Sequence, residues 1–97
     1  MPYVGLGYEE IELTESAYRH GYDDEDVAQM LRGRRLIILN RRGRLQGYEI
    51  FGRNAEGEYL LAAGRVVEYQ GVQVFRVFYV SRMTETERKR FQRQVSQ

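Results

Sequence analysis

Along this 97-residue chain, apolar positions follow a helical spacing near both ends and a strand-like spacing in between. Ile11 and Leu13 alternate with Glu10 and Glu12, after which Thr14 offers a helix N-cap and Gly21 a stop, predicting a short helix over 14–20. His20 falls at the inner edge of its last turn, three residues from Ala17. Asp23 or Asp24 can cap a second helix over 24–32, whose acidic first turn suits the helix dipole and whose buried stripe is Val27, Met30 and Leu31. Residues 1–8, broken by Pro2, Gly5 and Gly7, are expected to form a loop or short edge strand.

Strand patterning then takes over. Arg35 to Leu39 is rich in branched residues and ends at the turn-forming stretch Asn40 to Gly43. Tyr48 to Arg53 and Tyr59 to Glu68 follow, joined by a loop whose Gly57 can supply a positive φ. Ala62, Ala63 and Gly64 suggest a bulge or a closely packed helix. Gln70-Gly71 closes a hairpin into Val72 to Ser81, apolar on both faces and so expected at the sheet centre. Strict alternation places Val74, Arg76, Phe78, Val80 and Arg82 on one face, and Phe75, Val77 and Tyr79 on the other. Thr84 and Glu87 form a capping box for a helix over 84–95, whose Phe91 and Val95 give only a thin apolar stripe. The expected fold is a single α+β domain: two short N-terminal helices, a four-stranded antiparallel sheet and a C-terminal helix.

Composition narrows the chemistry. Cysteine is absent and there is one histidine, which excludes a disulfide framework and an ordinary zinc site. Neither a metal nor another cofactor is expected. With no apolar run long enough for a transmembrane helix and no signal-peptide pattern at the start, the expectation is a cytoplasmic protein without a membrane partner. Net charge is only +1, but eight acidic residues and one basic residue lie between Tyr8 and Asp26, while fourteen Arg or Lys face six Glu from Arg32 onward. Five arginines between positions 34 and 44, among them Arg41, Arg42 and Arg44, form either a solvated hairpin tip or a phosphate-facing patch.

An arginine within an apolar strand needs a partner. Arg76 can pair with Glu49 or Glu68, or serve as a clamp for a phosphate, for which a planar guanidinium is suited. Arg53 and Arg76 are expected to project near one another. His20 can bond a helix-end carbonyl or act as an acid or base, and Tyr48 and Tyr79 can pack or stack on nucleic-acid bases.

Arg19-His20-Gly21 followed by Asp24-Glu25-Asp26-Val27, then Ile50-Phe51-Gly52-Arg53-Asn54, then Val74-Phe75-Arg76-Val77 leading to Arg82-Met83-Thr84 and Glu87-Arg88, resembles the BrnT-type toxins of the RelE-like superfamily. The similarity covers roughly residues 14–93. It implies a toxin of a type II toxin-antitoxin system, a metal-independent endoribonuclease acting by 2′-hydroxyl attack, with RNA as substrate and a cognate antitoxin carrying a DNA-binding domain as partner. A homo-oligomer is left open. The resemblance carries catalytic roles to His20, Arg53, Arg76, Tyr79 and Arg82, with Arg41, Arg42, Arg44, Tyr48 and Arg88 as RNA-binding residues. Three positions depart from the family pattern: Glu58 stands where an arginine is expected, Gln46-Gly47 replaces an acidic-Arg pair, and Ser81-Arg82 replaces Ala-Arg. The alternative is a non-catalytic BrnT-like domain that binds a protein partner or nucleic acid through its basic face.

Overall fold

A computed structural model describes residues 10–42 and 45–95, the side chains at 10, 16, 40–42, 45 and 46 excepted. The elements are β1 (Glu10–Leu13), α1 (Glu15–Tyr18), α2 (Asp24–Arg32), β2 (Arg35–Arg42), β3 (Leu45–Arg53), β4 (Tyr59–Tyr69), β5 (Val72–Arg82) and α3 (Glu85–Val95). They form one five-stranded sheet in the order β1-β5-β4-β3-β2.

The expected four-stranded antiparallel sheet with two N-terminal helices is therefore corrected in two respects. The alternation of Ile11 and Leu13 with acidic residues is a strand signal in its own right. It becomes β1, parallel to β5 with Ile11 opposite Phe75 and Leu13 opposite Val77, which makes the sheet mixed. The helix expected over 14–20 is a single turn, α1, in which Ala17 alone is buried among the described side chains. One buried alanine offers little to hold a longer helix, because helical turns in water depend mainly on tertiary packing. The loop or short edge strand expected at 1–8 lies outside the described residues.

α2 has the expected form. Asp23 and Asp26 build a reciprocal capping box, and Val27, Met30 and Leu31 face the sheet. Gly52 makes room for this helix, since a Cβ there would lie 3.1 Å from the Met30 Cβ. At the other end, Thr84 and Glu87 cap α3 with bonds of 2.8 and 3.1 Å. The two-residue Gln70-Gly71 loop has positive φ at both positions, the twist that a tight hairpin between β4 and β5 requires. The β2–β3 ladder runs further than expected, from Arg35↔Gly52 to Arg42↔Leu45, so the backbone at Arg41 and Arg42 is strand rather than turn.

Helices cover the sheet unequally. On one face α1 and α2 bury Leu13, Ile50, Leu60, Phe75, Val77 and Val80. On the other, α3 lays Phe91 over Phe51 and Leu61, with Leu36, Ile38, Tyr59, Met83 and Val95 around it. α3 reaches only the β2 side of that face. Phe78 and Tyr79 on β5 remain 43% and 42% exposed.

A bulge changes what β5 presents. Gly64 pairs with Val77 but the adjacent Ala63 pairs with Tyr79, leaving Phe78 as the extra residue. The alternation is thereby reset, so Phe75, Val77 and Val80 share one core, contrary to the expected faces. Gly64 permits this close crossing, because a Cβ there would fall 2.3 Å from the Arg76 carbonyl oxygen.

Candidate functional site

The reset alternation determines which charged and aromatic side chains can act together. Arg76 precedes the bulge and lies on the face opposite Phe75 and Val77; Tyr79 follows it and lies on the face opposite Val80. Both therefore point to the side left partly open by α3, although they are three positions apart in sequence. Arg65, directly across from Arg76 on β4, adds a second guanidinium to this face. Arg82 points the other way.

His20 joins the open region from outside the sheet. It is exposed in the turn after α1, and its ring meets Tyr79 edge-to-face with centroids 5.7 Å apart. Where β1 ends, Thr14 N donates to the Val77 carbonyl and the chain folds into α1 beside β5. An imidazole and a phenol, both able to give and take protons, thus meet next to the strand that carries Arg76.

Arg76 pairs with neither Glu49 nor Glu68. Its Nε donates to Glu12 Oε1 at 3.0 Å, across the parallel β1–β5 ladder, with the two side chains 41% and 54% exposed. Exposed pairs of this kind stabilise by roughly 0–1 kcal/mol, so the guanidinium is readily available to an anion.

Arg82 is committed elsewhere. Tyr22 donates its hydroxyl to Glu58 Oε2 at 3.1 Å, and Arg82 donates to the Tyr22 oxygen at 3.3 Å and to Glu58 Oε2 at 3.1 Å. The network continues into the loop between β3 and β4. Asn54, buried at 6% exposure, donates to Asp26 Oδ1 and Glu58 Oε1 and accepts from the Glu56 and Glu58 amides. Hydrogen bonds from Asn54 and then Tyr22, with a smaller contribution from Arg82, hold the Glu58 carboxyl below its ordinary range. Contacts with Tyr22 and Glu58 raise the already high Arg82 pKa further. Glu58, which stands where the resemblance expects an arginine, is thus the anion of a structural network that ties the loop to α2 and β5.

Arg53 belongs to a third place. Its Nε donates to the Gly57 carbonyl at 3.2 Å, and its guanidinium lies 4.8 Å from the Tyr59 ring centroid. Arg88 of α3 approaches the same ring at 5.8 Å. Arg53 shares the α3 face with Arg76, but it pairs with Tyr59 while Arg76 pairs with Arg65. The six intervening β4 steps amount to about 20 Å, too far for both to clamp one phosphate.

Of the expected RNA-binding residues, Arg88 approaches the same Tyr59 ring as Arg53, and Tyr48 is half-buried against the α2-side core, which favours packing over stacking. Arg44 and the side chains of Arg41 and Arg42 lie outside the described residues. Sequence reasoning passed over Arg65, Tyr59 and the Tyr22–Glu58–Asn54 network. Arg65 was legible in principle from the pairing across the Gln70-Gly71 hairpin, whereas the network depends on contacts across 36 positions. No family model and no curated protein matches this sequence. Among the described residues no helix is long and apolar enough to cross a membrane.

Proposed function

We propose that this domain cleaves RNA without a metal, as the toxin of a toxin-antitoxin pair acting in the cytoplasm, in the manner of the BrnT-type proteins it resembles. The observation that carries the proposal is the alignment of Arg76 and Tyr79 on one open face by the β5 bulge, with His20 against the Tyr79 ring. In this reading the 2′-oxygen attacks the adjacent phosphorus while His20 takes its proton. The bond to the 5′-oxygen breaks and that oxygen takes a proton from Tyr79, leaving a 2′,3′-cyclic phosphate and a 5′-hydroxyl. Arg76, released from Glu12, stabilises the charge of the phosphorane. A neutralising antitoxin with a DNA-binding domain belongs to the same proposal.

The test is cleavage of a mixed-sequence RNA by the purified protein in the presence of chelator. Arg76→Ala should lower the rate about a hundredfold to a thousandfold, the typical loss for one oriented transition-state donor. Arg76→Lys should recover only part of it, because a point charge cannot make the bidentate contact. His20→Ala and Tyr79→Phe should each be impaired. A second reading, a nucleic-acid-binding module without catalysis, is favoured by the separation of Arg53 and Arg88 from His20 and Tyr79. Equal, negligible cleavage by wild type and variants would sink the first reading in favour of the second.

A further inference from the structure

The connection from α2 to β2, the last residue of β3, the first of β4 and one side of α3 line an open groove of about 360 Å³, formed by Gly33, Arg34, Arg53, Tyr59, Phe91, Gln92 and Val95. This volume lies in the range of small-ligand sites, roughly 300–1,000 Å³. Two of the lining residues are arginines and none is acidic. Arg88 stands beside the groove, over the Tyr59 ring. Among the described residues, Arg34, Arg53 and Arg88 make no ion pair; their contacts are the Val95 carbonyl for Arg34, and the Gly57 carbonyl and Tyr59 ring for Arg53.

Those contacts orient the guanidinium groups without neutralising them. The Tyr59 ring is itself fixed, edge-to-face on Phe91 with centroids 6.0 Å apart, while its hydroxyl accepts from Gln92 Nε2 at 3.1 Å. Arg53 spends Nε on Gly57 and keeps its terminal nitrogens for another acceptor. Cations held this way by a fixed ring lose little freedom on binding an anion, and a guanidinium offers paired donors to phosphate oxygens.

We infer that this groove is a phosphodiester-binding subsite for an RNA strand, formed by Arg34, Arg53 and Arg88 around Tyr59 and distinct from the His20–Tyr79 region. The choice of RNA as ligand rests on the proposed function. A sugar-phosphate chain is favoured over an acidic peptide because apolar surface from the half-buried Tyr59 and Val95 accompanies the cations, a combination suited to ribose and base. Both sites lie on the same face of the sheet. Tyr59 is four β4 positions from Ala63, the partner of Tyr79, or about 13 Å along the strand, so one short strand of RNA can reach from one to the other.

The experiment separates binding from cleavage by using a fully 2′-O-methylated ten-residue oligoribonucleotide, which lacks the nucleophile. Fluorescence anisotropy across a salt series with the full chain should show Arg34→Gln, Arg53→Gln and Arg88→Gln each weakening binding about tenfold, as expected for one charge-assisted contact. Each lost phosphate contact should also reduce the slope of log affinity against log salt by about 0.7. Arg90→Gln removes the same charge from the exposed surface of α3 and should change affinity less than twofold. Arg53→Lys should keep the salt slope, and thermal melts identify any variant that has lost its fold. Affinity and slope unchanged in the folded Arg34→Gln/Arg53→Gln protein would overturn the subsite, as would tighter binding of a polyglutamate peptide than of the oligonucleotide. A protein that binds through these arginines but cleaves no RNA would leave the subsite standing and refute the ribonuclease reading.

Discussion

Gly64→Ala tests the link between the bulge and the site. A Cβ at this position would meet the Arg76 oxygen at 2.3 Å, the Val77 Cα at 2.9 Å and the Arg76 carbonyl carbon at 3.0 Å. All three are backbone atoms of the neighbouring strand, so no rotamer change can relieve the overlap. Overpacking of a core costs roughly 1–3 kcal/mol, and immovable neighbours place this case towards the upper end. For a domain of this size each kcal/mol corresponds to about 4–8 °C in Tm, so a drop of roughly 10–20 °C is expected.

Calorimetry measures the loss, and nuclear Overhauser contacts between the His20 and Tyr79 rings report whether the bulge survives. Relief of the overlap requires β4 and β5 to separate or change register, and either should weaken those contacts. Gly71→Ala is the control: it is strained by a φ of +81° but meets nothing within 4 Å. It should destabilise the hairpin while leaving the ring contacts intact. A Gly64→Ala protein that melts within about 2 °C of wild type, or that keeps the ring contacts unchanged despite a large loss of stability, would refute the link between the bulge and the site.

Asn54→Ala removes two donated and two accepted hydrogen bonds from a buried site, and urea titration should register a loss of roughly 2–4 kcal/mol with an unchanged m value. Because the folded Glu58 carboxyl is held below its ordinary 4.5, its contribution to stability is present above that pH and is lost as pH falls through the lowered value. The stability advantage of wild type over Glu58→Gln should accordingly shrink in urea titrations taken downward from pH 4.5. Phe91→Ala empties the second core beneath α3, where Phe91 is 2% exposed, and should cost roughly 3–5 kcal/mol with the largest loss of hydrogen-exchange protection in α3.

Elements with strong local signals were legible from the chain: the acidic cap and apolar stripe of α2, the Gln70-Gly71 hairpin and the Thr84–Glu87 cap each state their structure within a few residues. β1 was harder to recognise because four residues cannot outweigh the helix signals that follow, and its strand character depends on parallel pairing with β5 across more than sixty positions. The small residues at Ala62 to Gly64 marked the bulge, but its consequence on the opposite strand was not legible. One unpaired residue, Phe78, reverses the face of every position after it, and strict alternation therefore put Arg76 with Arg82 and apart from Tyr79. His20 reached its neighbour through the turn after α1, a contact that no spacing rule predicts.

The structure also sorts the arginines by what already holds them. Arg82 is 76% exposed but bonds both the Glu58 carboxylate and the Tyr22 hydroxyl, so an incoming phosphate would have to compete with two partners at once. Arg76 is held by a single exposed carboxylate, Glu12, whose loss costs little and leaves the sheet intact. Arg53 and Arg88 are held by an aromatic ring and have no carboxylate to displace among the described residues. Anion affinity should therefore fall in the order Arg53 and Arg88, then Arg76, then Arg82. If the chain is the proposed ribonuclease, that order separates the residue suited to gripping a strand at rest from the one suited to engaging a phosphate as charge develops on it. A guanidinium released from a weak pair during the reaction concentrates its stabilisation on the transition state, which is what raises a rate, whereas cations already free strengthen binding of substrate and transition state alike.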